Sequence, residues 1–210
     1  MADAVPLVVV AAVAAVGNWL AVARGNTRLE YVCKPLTLAA LIGAALLLDP
    51  DDGAVRAWFV VALVLSLAGD VFLMLPRDLF VPGLASFLLA HLAYIAGLAV
   101  DGTEAGWLIA GAVVVGVVAV VVGRRILGAV RRGDEPELLP PVAVYILVIS
   151  AMVVTALGTA EPLAIAGAAL FYLSDALIAW NRFVQPLAFA PVAIMVTYHL
   201  AQAALVLSLA

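Results

Sequence analysis

The sequence predicts an all-α membrane protein, a bundle of about eight transmembrane helices forming one domain over residues 1–210. Three observations favour this fold class. Of the 210 residues, 67% are hydrophobic and only 11% are charged, whereas soluble domains have about 45–50% apolar and about 25% charged residues. Apolar segments of membrane-spanning length recur along the chain, and the basic residues collect in alternate connections between them.

A helix needs about 20 mostly apolar residues to cross the roughly 30 Å hydrocarbon core. Segments that approach this length occur at 5–22, 35–48, 55–75, 80–100, 106–123, 141–158, 162–180 and 187–208. Polar turn residues separate them, for example at 49–53 and at Asp101-Gly102. Because proline suits the first turn of a helix, we expect the short second span to open at Lys34-Pro35. Eight spans fit the pattern best, and seven is the alternative.

The first segment needs a separate argument, because Ala21-Val22-Ala23 resembles a signal-peptidase site. Signal peptides begin with a basic region, but no Lys or Arg precedes Arg24. We therefore interpret residues 5–22 as a transmembrane span that is retained.

Orientation follows from the basic residues, because cytoplasmic loops retain Lys and Arg. Nine of the ten basic residues fall in or beside the first, third, fifth and seventh connections: Arg24, Arg28, Lys34, Arg77, Arg124, Arg125, Arg131, Arg132 and Arg182. Only Arg56 falls on the other side. We therefore expect both termini outside. The Ala- and Val-rich composition is typical of bacteria, so a bacterial cytoplasmic membrane is the expected location.

The two halves of the chain resemble each other weakly. Asp70 and Asp175 are each followed by an arginine seven residues later, and the His-Leu-Ala string at 91–93 recurs at 199–201. Since the segments concerned run in the same directions in both halves, the pattern is consistent with a parallel four-plus-four internal duplication.

Four ionisable residues within the predicted spans need an explanation: Asp70, His91, Asp175 and His199. Such groups cost about 2.5–3.5 kcal/mol on insertion scales and usually face a bundle interior or a wet cavity. Both aspartates lie about two turns before the cytoplasmic ends of their spans. The structural alternatives are an ion pair for each aspartate and an interhelical hydrogen bond for each histidine.

Helical spacing adds polar neighbours, because residues three or four apart share a face. Tyr172 therefore joins Asp175, Tyr94 joins His91, and Gln202 joins His199. At the cytoplasmic ends lie Lys34, Asn181 and Arg182; the alternative for the two cations is that they only anchor the helices at the interface.

Two carboxylates in one cavity can divide acid and base roles, one protonated and the other ionised. Glycosidases use such a pair across an oxocarbenium-like transition state. A vinyl ether is cleaved through a related cation, since protonation at carbon gives an oxocarbenium ion that adds water. Composition alone does not select this reaction.

Five strings of the sequence resemble the YhhN-like lysoplasmalogenase family. They are Lys-Pro-Leu-Thr at 34–37, Leu-Ala-Gly-Asp-Val-Phe-Leu-Met at 67–74, Gly-Leu-Ala-Ser-Phe-Leu-Leu-Ala-His-Leu-Ala-Tyr at 83–94, Tyr-Leu-Ser-Asp-Ala-Leu-Ile-Ala-Trp-Asn-Arg-Phe at 172–183 and Tyr-His-Leu-Ala-Gln at 198–202. They cover nearly the whole chain in the right order.

The resemblance implies hydrolysis of the vinyl ether bond of lysoplasmalogens, which gives a fatty aldehyde and glycerophosphoethanolamine or glycerophosphocholine. The expected partners are a lysophospholipid and the bilayer, with no nucleic acid, cofactor or metal. Catalytic roles are expected for Asp70 and Asp175, with His91 and Tyr94 orienting groups or relaying protons. The expected substrate-binding residues are Lys34, Ser86, Tyr172, Asn181, Arg182, His199 and Gln202, of which Lys34 and Arg182 would meet the phosphate.

Other functions remain open from the sequence. A lipid- or proton-coupled transporter would use the aspartates as proton carriers, and a hydrolase of a different lysolipid would use the same site. An intramembrane aspartyl protease fits poorly, since Leu67 replaces the first glycine of its Gly-x-Gly-Asp signature. A zinc hydrolase needs several well-spaced ligands, but the chain has only two histidines, on different spans.

Overall fold

The computed structural model describes residues 2–210, and every regular element in that range is helical. Eight helices are long and apolar enough to cross a membrane. We number them α1 (Val5–Ala23), α2 (Thr27–Leu47), α3 (Gly53–Met74), α4 (Phe80–Asp101), α5 (Ala105–Arg132), α6 (Leu139–Thr159), α7 (Pro162–Ala179) and α8 (Ala190–Leu207). A single π-helical turn, Trp180–Val184, continues α7. The predicted fold class is confirmed.

Two helices extend beyond the predicted spans in the same way. The second span was expected to open at residue 35, but α2 begins at Thr27, where the Asn26 side chain accepts a hydrogen bond from the Leu29 amide. Pro35 consequently lies inside the helix. At the other end, α5 continues nine residues past the expected position 123 to Arg132. In both helices the backbone stays helical beyond the apolar stretch, so hydropathy underestimates their length.

Helices that follow one another in the chain pack as pairs, α1 with α2, α3 with α4, α5 with α6, and α7 with α8. The bundle closes because α4 packs against α6, and α8 packs against both α1 and α2. α5 stands at the periphery, where it contacts mainly α6 and the π-helical turn. In a four-plus-four duplication, α4 would correspond to α8 and α6 to α2. The contacts of α4 with α6 and of α8 with α2 are consistent with such a duplication, which stays a prediction.

Glycines allow the close approach of helices beside the polar residues. A Cβ atom on Gly69, next to Asp70, would come within 2.7 Å of the Phe87 ring of α4. On α7, a Cβ on Gly167 would come within 3.0 Å of backbone atoms of Ala201 and Leu205. These contacts bring α3 close to α4 and α7 close to α8.

The alternating crossings place the first, third, fifth and seventh connections at one end of the bundle. We call this the basic end, because it carries nine of the ten basic residues, among them Arg77, Arg131 and Arg182. Asp70 and Asp175 lie in the last turns of α3 and α7, and therefore toward this end. Which side of the membrane the basic end faces stays a prediction.

Candidate active site

Asp70 on α3 is held by two side chains from distant parts of the sequence. Its Oδ1 lies 3.2 Å from Nζ of Lys34 on α2, and its Oδ2 accepts a hydrogen bond of 2.7 Å from the hydroxyl of Tyr198 on α8. Asp70 is 2% exposed and Lys34 is 5% exposed. Lys34 is therefore a buried partner of Asp70 and not an interfacial anchor. We call Lys34, Asp70 and Tyr198 the first carboxylate cluster.

Asp175 on α7 has different surroundings. The hydroxyl of Tyr145 on α6 donates a hydrogen bond to its Oδ2, and Nε2 of His91 on α4 lies 3.7 Å from the same oxygen. No Lys or Arg among residues 2–210 lies within 4 Å of this carboxylate. We call His91, Tyr145 and Asp175 the second carboxylate cluster.

Aromatic rings connect the two clusters. The Phe171 ring packs edge-on against the rings of His91 and Tyr198, with centroids 4.7 and 5.4 Å apart. Six helices, α2, α3, α4, α6, α7 and α8, thus contribute to one buried polar site.

Several buried polar atoms within the bundle have no hydrogen-bond partner among residues 2–210. They include both ring nitrogens of His91, Nε2 of His199, Nε2 of Gln202 and both side-chain polar atoms of Asn18. The Tyr94 hydroxyl donates to Oε1 of Gln202. Since most buried polar groups in proteins bind a protein group or water, these free atoms are suited to binding water or a polar substrate.

Trp19 on α1 orients His199. Its indole N–H donates hydrogen bonds to Nδ1 of His199, at 3.0 Å, and to the Met195 carbonyl, at 3.2 Å. Because Nδ1 accepts, the neutral ring carries its proton on Nε2. His199 thereby presents a fixed donor at its buried, unpartnered nitrogen. Trp19 and His199 also line an apolar cavity between α1, α2 and α8, with about 500 Å³ of empty space.

Three of the expected substrate-binding residues bind groups other than the two carboxylates. Ser86 donates to the Leu65 carbonyl at 2.7 Å and so connects α4 with α3. Asn181 accepts from the Leu187 amide in the α7–α8 connection. Arg182 lies 3.0 Å from a carboxylate oxygen of Asp78 and 2.9 Å from one of Glu135, and its guanidinium stacks over the Phe80 ring.

An apolar groove reaches the second carboxylate cluster from the basic end. It has about 690 Å³ of empty space between α4, α5, α6 and α7. Its walls include Leu73, Phe80, Leu84, Phe87, Val122, Gly123, Ile126, Val142, Ile146, Ile149, Ile178 and Phe183. The polar residues lining it are Tyr145, Tyr172 and Asp175, and Asp175 is the only Asp, Glu, Lys, Arg or His among the lining residues. Tyr172 and Asp175 therefore share a face of α7, as the helical spacing predicts.

Charged side chains gather where the groove meets the basic end. Phe80 and Phe183 line the groove, and the Arg182 guanidinium lies 4.1 and 5.7 Å from the centres of their rings. Hydrogen bonding to Arg182 holds the pKa of Asp78 below its usual value. Asp78 is therefore ionised at neutral pH, and the arginine is held between two carboxylates.

Comparison with known proteins assigns the family. Residues 29–209 match the model of the YhhN family. This chain belongs to the YhhN family. The resemblance inferred from the five strings is thereby confirmed.

Named relatives of this YhhN protein come from animals and mycobacteria. It is 35% identical to human "Lysoplasmalogenase TMEM86B" over 83% of this chain and 73% of the human protein. It is also 35% identical to the "Lysoplasmalogenase" of Mycobacterium tuberculosis (strain CDC 1551 / Oshkosh) over 76% of this chain and 62% of that protein. The chain thus spans less than two thirds of the mycobacterial relative. No solved structure matches it.

Sequence reasoning missed four polar residues of this YhhN protein, three of which bind residues of the site. Tyr145 and Tyr198 bind the two carboxylates, and Trp19 binds His199. Asn18, fully buried in α1, could have been found by the rule that selected the aspartates, because it is a lone amide within an apolar span. The tyrosines carry no comparable signal, since a tyrosine in a span often lies at the membrane interface. Trp19 and Asn18 both precede the part of the chain that matches the family.

Proposed function

We propose that this protein hydrolyses the vinyl ether bond of lysoplasmalogens and releases a fatty aldehyde and glycerophosphoethanolamine or glycerophosphocholine. One observation carries the proposal: two carboxylates with different partners share a site, Asp70 buried and Asp175 partly buried, and Asp175 lines an apolar groove. The names of the human and mycobacterial relatives support the same reaction. The enzyme would be a lysoplasmalogenase-type ether hydrolase.

The first step of the proposed reaction is protonation at carbon. Asp175, which has a tyrosine and a histidine beside it but no Lys or Arg, gives its proton to the vinyl carbon that does not bear oxygen. The electron pair of the double bond forms the new C–H bond, and an oxocarbenium ion results. Asp175 becomes a carboxylate and stabilises this cation, as the carboxylates of glycosidases do.

The second step is the addition of water to the oxocarbenium carbon. Asp70, ionised beside Lys34, accepts a proton from the attacking water, and the product is a hemiacetal. The hemiacetal then loses its hydroxyl proton to the Asp175 carboxylate and forms the aldehyde carbonyl. It releases the glycerol oxygen, which takes the proton that Asp70 accepted from water, so both aspartates return to their starting states. One water is consumed, and one aldehyde and one alcohol are formed.

The neighbours of the carboxylates have positioning roles in this scheme. Lys34 and Tyr198 hold Asp70, Tyr145 holds Asp175, and His91 lies 3.7 Å from the same Asp175 oxygen. His199 and Gln202 offer donors to water or to the glycerol hydroxyl, and Tyr94 fixes Gln202. We assign Lys34 to Asp70 and not to phosphate, because it is buried and paired. Arg182 would meet the phosphate only by exchanging a carboxylate for it.

The location follows from the same proposal. The substrate is an amphiphile of the bilayer, so the reaction takes place in the membrane-embedded bundle. We place the site in the cytoplasmic half of a bacterial cytoplasmic membrane, because both carboxylates lie toward the basic end.

The test uses three lysophospholipids that differ only in the bond at the first glycerol carbon. Purified protein in nanodiscs is given the 1-alkenyl, the saturated 1-alkyl and the 1-acyl compound. Aldehyde from the alkenyl compound alone is the expected result. Fatty acid from the acyl compound instead would indicate a hydrolase of a different lysolipid and would overturn the proposal.

Labelled water shows which of the two carbon–oxygen bonds of the ether is cleaved, the bond to the vinyl carbon, as proposed, or the bond to the glycerol carbon. In water enriched in oxygen-18, attack at the vinyl carbon leaves the released glycerophosphoethanolamine unlabelled. Label in the glycerol product would mean attack at the glycerol carbon, which contradicts an oxocarbenium route.

A further inference from the structure

α5 borders the apolar groove at the periphery of the bundle. It packs against α6 and the π-helical turn, and it meets α4 through side chains such as Ile126 and Phe80, which share one apolar cluster. Leu84 of α4 and Val122 of α5, both partly exposed, line the groove from opposite sides. The groove is therefore bounded by a helix that mostly faces lipid.

Gly123 is the residue of α5 that keeps the groove wide. It is buried and lines the groove, at the level of Ile146, which follows Tyr145 on α6. A Cβ atom added at Gly123 would meet only the Ile146 side chain, at 3.7 and 3.8 Å, which is ordinary contact. A methyl group fits there without strain, and any larger side chain would project into the empty space.

The chemistry of the groove matches one kind of ligand. Its walls are apolar, a carboxylate lies along it, and a cation held by two carboxylates lies where it meets the basic end. An amphiphile fits this arrangement, because its hydrocarbon chain can contact the apolar walls while its charged head contacts the charged side chains at the basic end.

We propose that the groove binds the hydrocarbon chain of a single-chain lysolipid, which enters sideways between α4 and α5, and that Gly123 provides the room for that chain. The inference rests on the proposed function for the identity of the chain, the alkenyl chain of the substrate. Its vinyl ether end would then lie at Asp175. The glycerophosphate head would lie toward Arg182.

The test compares Gly123→Phe with Gly116→Phe. Gly116 lies on the same helix but is exposed, and a Cβ there meets nothing within 4 Å. With a hexadecenyl lysolipid, Gly123→Phe should lower kcat/KM by about tenfold or more, because excluding even two methylene groups from an apolar site costs about that much. With an octenyl lysolipid the loss should be much smaller. Gly116→Phe should leave kcat/KM unchanged for both lysolipids.

Equal losses for both chain lengths, or no loss for either, would overturn the proposal. If Gly123→Phe does not fold, Gly123→Ala is tested in its place. It should lower kcat/KM by a smaller factor, and only for the lysolipid with the longer chain. Binding of a saturated 1-alkyl lysolipid, which needs no catalysis, separates this inference from the proposed function. If the wild type releases no aldehyde but Gly123→Phe still weakens binding of the long alkyl lipid, the groove assignment holds and the reaction fails.

Discussion

The buried lysine of the first carboxylate cluster has a role that its sequence position hides. Lys34 stands near the end of a predicted span, where a lysine normally extends to the interface. Its ammonium instead lies 3.2 Å from Asp70, inside the bundle. Breaking a buried ion pair by removing one partner is strongly destabilising, whereas replacing both partners by apolar residues is often neutral. Structural and catalytic roles of this pair can therefore be separated.

We expect Lys34→Met to lower the free energy of unfolding by about 3–5 kcal/mol, since Asp70 is left buried without its cation. The double variant Lys34→Met/Asp70→Leu should recover most of that stability and show no hydrolysis. Thermal unfolding in detergent measures the stability of each variant, and aldehyde release measures its hydrolysis.

Asp49→Asn is the matched control, because the exposed Asp49 forms a pair with Arg56 at a similar distance, 3.3 Å. Exposed pairs contribute about 0–1 kcal/mol, so its stability should change little. An active double variant would mean that the pair is only structural.

At the scale of elements, hydropathy predicts the helices but not their ends or their rotation. α2 and α5 run past their apolar stretches because polar and basic residues remain helical at the membrane interface. Asp70 and Asp175 could be predicted as site residues, because an ionisable side chain within a bilayer is costly and usually has a functional or structural role. Tyr145 and Tyr198 could not, because which face of α6 or α8 meets the carboxylates depends on packing between helices distant in sequence.

The contact between α7 and α8 depends on the small size of Gly167. A Cβ there would lie 2.7 Å from Leu205 Cγ and 3.0 Å from the Ala201 carbonyl oxygen. Since backbone cannot move aside as a side chain can, Gly167→Val should destabilise the protein by about 1–3 kcal/mol, as overpacking does. Gly116→Val, at an open position on α5, should leave the midpoint of thermal unfolding unchanged. Equal midpoints for the two variants would show that α7 and α8 can separate without cost.

At the scale of the whole molecule, the charge asymmetry of the connections predicts how the bundle sits in the membrane. Nine of ten basic residues lie at the end nearer both carboxylates. The positive-inside rule then predicts a site nearer the cytoplasm and both termini outside.

Cysteine labelling tests this orientation. The single native cysteine, Cys33, is buried and is replaced by alanine. In that background, Asp51→Cys in the α2–α3 connection should react with an impermeant maleimide added to intact cells. Asp134→Cys in the α5–α6 connection should react only after the membrane is permeabilised; both positions are exposed. The reverse pattern would place the carboxylates in the outer half of the membrane.

The central claim is that Asp70 and Asp175 together hydrolyse a vinyl ether, and one measurement tests it most directly. Aldehyde release from a lysoplasmalogen is followed for the wild type, Asp70→Asn and Asp175→Asn, each shown to be folded by its thermal unfolding. The account predicts aldehyde from the wild type and a loss of at least about a hundredfold in each variant, the lower end of what general acid–base catalysis contributes. Folded variants that keep wild-type rates would contradict it.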